Sequence, residues 1–179
     1  MQMETENPCR KCMAGCCRKY SVCLTGYDIA RLAKATDNLD WIDSIYAGDT
    51  NPEIARSFSL YENRGVGKYL LCLRMTDGDN CVFLGKDNLC KVYETRPMIC
   101  RIYPFNQRIS KKLEYKENIR CPMEWKFHGE EAEEFLKNIE QNKKELEEYG
   151  RLCNEWNPAL TPEKTLADFI KFILAKVKI

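Results

Sequence analysis

Cysteine sets the chemistry open to this chain. Four cysteines open it as Cys9-x2-Cys12-x3-Cys16-Cys17, and four more follow as Cys81-x8-Cys90-x9-Cys100-x20-Cys121. Two thiolates separated by two residues can hold one ion from a single tight turn, which is why metal sites favour such local clusters. Familiar spacings fail in turn. A radical-SAM order would need a cysteine where Lys19 stands, and the bacterial ferredoxin run breaks at Gly15. Cys9/Cys12 is the only Cys-x2-Cys pair, so a two-knuckle zinc ribbon is excluded, and the single His128 excludes a Cys2His2 finger. What remains is an all-thiolate site, whose softness suits zinc or iron–sulfur and not magnesium or calcium.

Neighbouring side chains diverge along an extended chain, so Cys16 and Cys17 do not easily face the same ion. The pattern favours two four-thiolate sites sharing this vicinal pair; one cluster with some cysteines kept for a second role is the alternative. A disulfide switch in the opening group is a further rival. Structural zinc needs only four of the eight thiolates, so the surplus favours one or two iron–sulfur clusters, [4Fe–4S] in type, over zinc. Each four-thiolate site would carry a charge of about −2, which a buried position tolerates only with donors nearby. Arg96 and Arg101 flank Cys100, and Arg120 abuts Cys121; these guanidinium groups and local amides are expected to hydrogen-bond to the sulfurs. The arginines could instead pair with the acidic helix. Cys23, Cys72 and Cys153 read as ordinary buried thiols, and His128 as a surface or partly packed histidine.

The elements that must position these thiols read as an α+β fold. An irregular cysteine-rich metal-binding body with a short β-hairpin or sheet spans residues 1–126, and helices over 127–179 pack on it as one structural unit. Thr25 caps a helix, with the Asp28 carboxylate reaching back to the cap amide and Ile29, Leu32 and Ala33 forming its stripe. Trp41, Ile42 and Ile45 share a face in a short helix over Asp40–Ala47; the link onward to residue 65 is irregular. Lys68–Met75 and Cys81–Leu84 form a hairpin around a Gly-containing turn. Asn88 caps a brief helix through Val92 and Tyr93 that Pro97 stops, and Arg96 is pushed out of the helical region. Phe135, Leu136, Ile139, Leu146, Tyr149 and Leu152 stripe a long helix. Thr161-Pro162 starts another, striped by Leu166, Phe169, Ile170, Ile173, Leu174 and Val177.

Composition bounds the function. A chain of 179 residues, 44% hydrophobic and 31% charged, is globular and long enough for one domain with a real core. The polar start offers no secretory signal, and no apolar run approaches the ~20 residues of a membrane span. Cytoplasmic residence is the expectation, and in a reducing compartment eleven cysteines point to metal or redox chemistry before disulfides. The net charge of +1 hides a contrast: residues 96–126 hold eight Lys/Arg against three Glu, and 130–155 hold nine Glu against four Lys/Arg.

The chain resembles the YkgJ-type cysteine-cluster family, described as zinc- or iron-chelating domains. The likeness rests on the opening four-cysteine group, Leu24-Thr25 with Asp28-Ile29 and Arg31-Leu32, Cys81-Val82-Phe83-Leu84, Cys90 through Pro104 with its Arg96-Pro97-x2-Cys100-Arg101-x-Tyr103-Pro104 core, and Cys121-Pro122. It covers residues 9–122 and implies metal binding by Cys9, Cys12, Cys16, Cys17, Cys81, Cys90, Cys100 and Cys121. A flagellin lysine N-methylase with a similar cluster implies a link to protein methylation. No glycine-rich loop follows a strand here, since Gly65-Val66-Gly67 precedes its strand, and a common SAM-binding fold is not evident.

Three functions follow. The first is an iron–sulfur protein with a redox or enzyme-assisting role on another macromolecule, a protein before a nucleic acid. The second is a structural zinc module that binds protein or nucleic acid, the latter through the basic 96–126 stretch with Tyr103, Phe105, Tyr115 and Trp125. The third is a methylation-related enzyme or its subunit, although no nucleophile–base pair or carboxylate dyad stands out. The sequence leaves the oligomeric state open.

Overall fold

The computed structural model describes residues 9, 12–48, 56–63, 65–107, 113–115, 121–125 and 129–179. A three-stranded antiparallel sheet in the order β1-β3-β2 is built from β1 (Ile42–Tyr46), β2 (Phe58–Glu62) and β3 (Gly65–Leu73). The first half of β3 pairs with β2, from Glu62↔Gly65 to Phe58↔Tyr69; its second half pairs with β1, from Tyr46↔Tyr69 to Ile42↔Leu73. Beyond the end of β2, residues 22–24 continue along β3. Leu24 N–H donates to Leu71 O at 2.8 Å and Leu73 N–H to Val22 O at 2.9 Å.

Two readings of this region change. Residues 42–46 form a strand, not a helix: Trp41, Ile42 and Ile45 have helical spacing, but the open edge of β3 offers a ladder from Ile42↔Leu73 to Tyr46↔Tyr69. Strand β2 lies in the link expected to be irregular, and β2 and β1, not residues 81–84, are the partners of β3. Residues 75–90 instead form two turns, each closed by a single bridge, Met75↔Cys81 and Leu84↔Cys90.

Helix α1 (Gly26–Ala33) carries the expected Thr25/Asp28 capping box. The brief helix through Val92 is a 3-10 turn at Tyr93–Thr95 without a side-chain cap. Asn88 lies in the turn before it at φ 64°, where its side-chain oxygen accepts from Arg18 instead. Arg96 is extended, with ψ 151°, as the following proline requires. Helix α2 (Met98–Ile102), not foreseen from the sequence, begins directly after Pro97. Strands β4 (Phe105–Gln107) and β5 (Leu113–Tyr115) pair antiparallel.

Helix α3 (Glu130–Trp156) runs 27 residues, and α4 (Leu166–Lys176) follows. The cap of α4 is Thr165, which forms a capping box with Asp168; Thr161-Pro162 belongs to the turn before it. Phe169 of α4 is fully buried, stacked on Phe58 at 4.1 Å and against Trp156 at 5.2 Å. The Trp156 indole donates to Ser59 O at 3.0 Å, fixing α3 on β2. Helix α1 meets α4 at Gly26, where a Cβ would lie 2.3 Å from Ile173 Cγ2, so only glycine permits this approach. The architecture is α+β, as the sequence implies. Among the described residues no helix is long and apolar enough to cross a membrane.

Candidate metal centre

All eleven cysteines lie among the described residues, and none is in a disulfide. The opening group sits on a turn-rich arm whose coil is held by short backbone bonds, among them Cys12 N–H to Cys9 O, Arg18 N–H to Ala14 O and Tyr20 N–H to Cys16 O. Three contacts fasten this arm to the two turns. Cys81 N–H donates to Cys17 O at 2.7 Å, and the Arg18 guanidinium donates to Asn80 Oδ1 at 3.0 Å and Asn88 Oδ1 at 2.5 Å. The arm therefore lies against the turns that carry Cys81 and Cys90.

Cys100 comes from the short helix α2. The start of that helix is tied to α1: Met98 N–H donates to the buried Asp28 Oδ1 at 2.8 Å. Cys121 is held by aromatic groups. Its N–H donates to Tyr103 Oη at 3.1 Å, and its sulfur accepts from the Trp125 indole N–H at 3.3 Å. Trp125, Phe105 and Phe135 of α3 meet edge to face, with centroids 5.5–6.1 Å apart. These rings position Cys121 from the long helix.

The thiols influence one another's charge in a definite pattern. Burial first, then the charges of Cys16, Cys12 and Cys121 against that of Arg96, pushes Cys9 up to about 11. Hydrogen bonding from the Cys17 thiol pulls Cys16 down and pushes Cys17 up, their sulfurs being 3.8 Å apart; the charges of Cys100 and Cys81 also raise Cys17. Burial raises Cys81 and Cys90, while the amides of Phe83 and Val92, donating to these sulfurs, lower them. Cys100 is pushed well up by burial and by Cys81, Cys16, Cys90 and Asp28. Burial protects the proton on each thiol, and the donors favour the thiolate that a metal requires.

Among the described residues no three Cys, His, Asp or Glu side chains stand close enough to ligate one ion as they are. The donor set nevertheless fits a soft metal. All eight thiols belong to one network of mutual charge, and N–H donors already point at Cys81, Cys90 and Cys121.

Of the arginines, Arg96 favours the Cys9 and Cys90 thiolates, with its guanidinium 3.7 Å over the Tyr93 ring. Arg101 donates to Arg96 O at 3.1 Å and to Glu94 O, bracing the turn that carries Arg96. Arg120 and His128 lie outside the described residues. The sequence reading missed Trp125 as a sulfur donor and Asp28 as the anchor of the Cys100 helix. The Cys121-x3-Trp125 spacing was a local signal for the first; the second spans 70 residues. Cys72 and Cys153 are buried as expected, but Cys23 is exposed, because residues 22–24 run along the border of the sheet.

A cysteine-rich chain whose scattered thiols are folded toward one another around amide donors belongs to the class of metal-chelating domains. A family model described as "Putative zinc- or iron-chelating domain", labelled CxxCxxCC, matches residues 8–154, and the chain belongs to that family. Its opening group, with three residues between Cys12 and Cys16, is one residue longer than the label. The match continues past Cys121-Pro122 into α3, in keeping with the seat of Phe135 on the Cys121 segment. No curated protein and no solved structure matches the chain.

Proposed function

We propose that the protein holds two four-thiolate iron–sulfur centres that divide the vicinal pair between them. Cys9, Cys12 and Cys121 belong to one; Cys81, Cys90 and Cys100 belong to the other; each is completed by one of Cys16 and Cys17. The observation that carries this reading is the pattern of mutual charge. Cys9 responds to Cys12, Cys121 and Cys16, whereas Cys17 responds to Cys16, Cys100 and Cys81. Cys16 acts on Cys9 and on Cys81, Cys90 and Cys100 alike, so the vicinal pair lies between the two groups.

Iron–sulfur is preferred because eight thiolates exceed the need of a structural zinc. Such centres, when bound, accept and release single electrons. The residues around them contribute charge balance: Arg96 toward Cys9 and Cys90, the Phe83 and Val92 amides toward Cys81 and Cys90, and the Trp125 indole toward Cys121. The role is redox or enzyme-assisting, exercised on another macromolecule, a protein first, in the cytoplasm.

Iron, sulfide and zinc analysis with an optical spectrum on anaerobically purified protein tests this. Two centres of the [4Fe–4S] type give about eight iron and eight sulfide per chain and a broad visible charge-transfer band. A colourless protein with stoichiometric zinc overturns the iron–sulfur assignment and favours a structural zinc module. Each of the eight Cys→Ser variants loses one centre's worth of metal; loss of all metal from every variant refutes the division into two.

A further inference from the structure

We infer that Cys23 and Cys72, outside the proposed ligand set, form a reversible cross-strand disulfide when the protein meets a hydroperoxide. The two residues are direct partners in an antiparallel bridge. The type of pair matters. Leu24 N–H bonds to Leu71 O and Leu73 N–H to Val22 O, so the backbone bonds flank the cysteines and none joins them to each other. Cys23 and Cys72 therefore occupy a non-hydrogen-bonded position, where partner Cα atoms approach to about 4.5 Å and side chains leave the same face. A disulfide needs Cα atoms about 4.4–6.8 Å apart. At a hydrogen-bonded position the Cβ atoms are farther apart, so this register is the one suited to a cross-link.

Exposure divides the labour. Cys23 is exposed and Cys72 is buried, so an oxidant in solution reaches Cys23 first. Partial desolvation of its sulfur raises the Cys23 thiol, and the nearby Arg56 guanidinium draws it back down. Cys72 is pushed up to about 12 by burial, then by the Asp43 carboxylate and Cys23, so its thiolate is scarce. The linkage accordingly forms slowly.

The Cys23 thiolate attacks the peroxide oxygen, breaking the O–O bond and giving a sulfenic acid and an alcohol, or water when the oxidant is hydrogen peroxide. The Cys72 thiolate then attacks the Cys23 sulfur, forming S–S and expelling hydroxide, which takes up the proton Cys72 gave to solvent. Two thiols are oxidised by two electrons in all, and one peroxide is reduced. The product joins the segment between Cys17 and α1 to β3.

The test treats the full-length, metal-loaded protein with a small excess of hydrogen peroxide, alkylates remaining thiols, digests without reduction and reads peptide masses. Expected is a peptide pair containing Cys23 and Cys72, lighter than the two together by two hydrogens and separated by dithiothreitol. Cys23→Ser abolishes the pair and keeps the metal content of the parent. Being exposed, this position does not put folding at risk. The inference is overturned if Cys23 ends as sulfinic acid or joined to another cysteine while Cys72 is alkylated. Because the readout is a peptide mass, it stands or falls whether the chelated metal is iron, zinc or neither.

Discussion

Asp28 binds more of the molecule than its size suggests. One oxygen accepts from Thr25 N–H and Oγ1, both at 2.9 Å, and closes the start of α1. The other accepts from Met98 N–H at 2.8 Å and Arg31 at 2.6 Å, and Arg31 continues bidentately to the buried Glu145 of α3. Replacing Asp28 by alanine leaves Arg31 with Glu145 as its remaining carboxylate partner and leaves the buried Thr25 and Met98 amides unpaired. The expected cost is about 3–5 kcal/mol, measured by urea unfolding. A loss under 1 kcal/mol would mean that the network adds little. The capping half of this role was legible, because Thr25 and Asp28 are three residues apart. The half that holds the Cys100 helix was not, since no local pattern announces a partner 70 residues away. The eight candidate ligands rest on the opposite kind of signal: cysteine is rare enough that its spacing along the chain singles them out.

Among the elements, the stripe of α3 and the cap of α1 were read correctly, whereas β1 and the start of α4 were not. The stripe of α3 from Phe135 to Leu152 and the capping box of α1 need no tertiary information. β1 does: Ile42–Tyr46 has a helix-compatible spacing and becomes a strand only beside β3. The start of α4 makes a sharper case. Thr161-Pro162 has the form of a helix start, yet Thr165 makes the capping box with Asp168. Thr165→Ala is therefore expected to lose about 1 kcal/mol, and Thr161→Ala to stay within about 0.5 kcal/mol of the parent, by thermal or urea unfolding. The reverse order would return the cap to Thr161.

For the whole molecule, the thiols make stability and metal loading respond oppositely to pH. Cys9 is raised to about 11 and Cys153 to about 12, each chiefly by burial, from an ordinary value of 9.0; Cys81, Cys90 and Cys100 move in the same direction. In the metal-free protein these groups keep their protons while folded and lose them sooner when unfolded. Above the ordinary thiol value the unfolded chain thus binds fewer protons, and stability falls as pH rises from about 9 through about 11. Urea unfolding of reduced, metal-free protein at pH 9 and pH 10.5 should show lower stability at the higher pH; equal stability would contradict it. Metal loading displaces the protons of the ligand thiols in this group, so chelation tightens as pH rises over that range. Two loaded centres at about −2 each would also turn the formal +1 of the metal-free chain to about −3, an acidic shift that native electrophoresis can register.

Helix α3 gives the molecule a common rod. Near its start, Phe135 is packed on the aromatic group that holds Cys121; near its end, Trp156 is bonded to β2 and packed on Phe169. Ordering one end of a continuous helix favours the other, so binding energy gained at the thiols is shared with a sheet core that touches no ligand. Metal supply then governs how much sequence change that core can absorb. A substitution at Phe58 or Phe169 that a fully loaded chain survives could be lost in a cell starved of metal, and the drift of the hydrophobic core over generations would carry a record of the metal available to it.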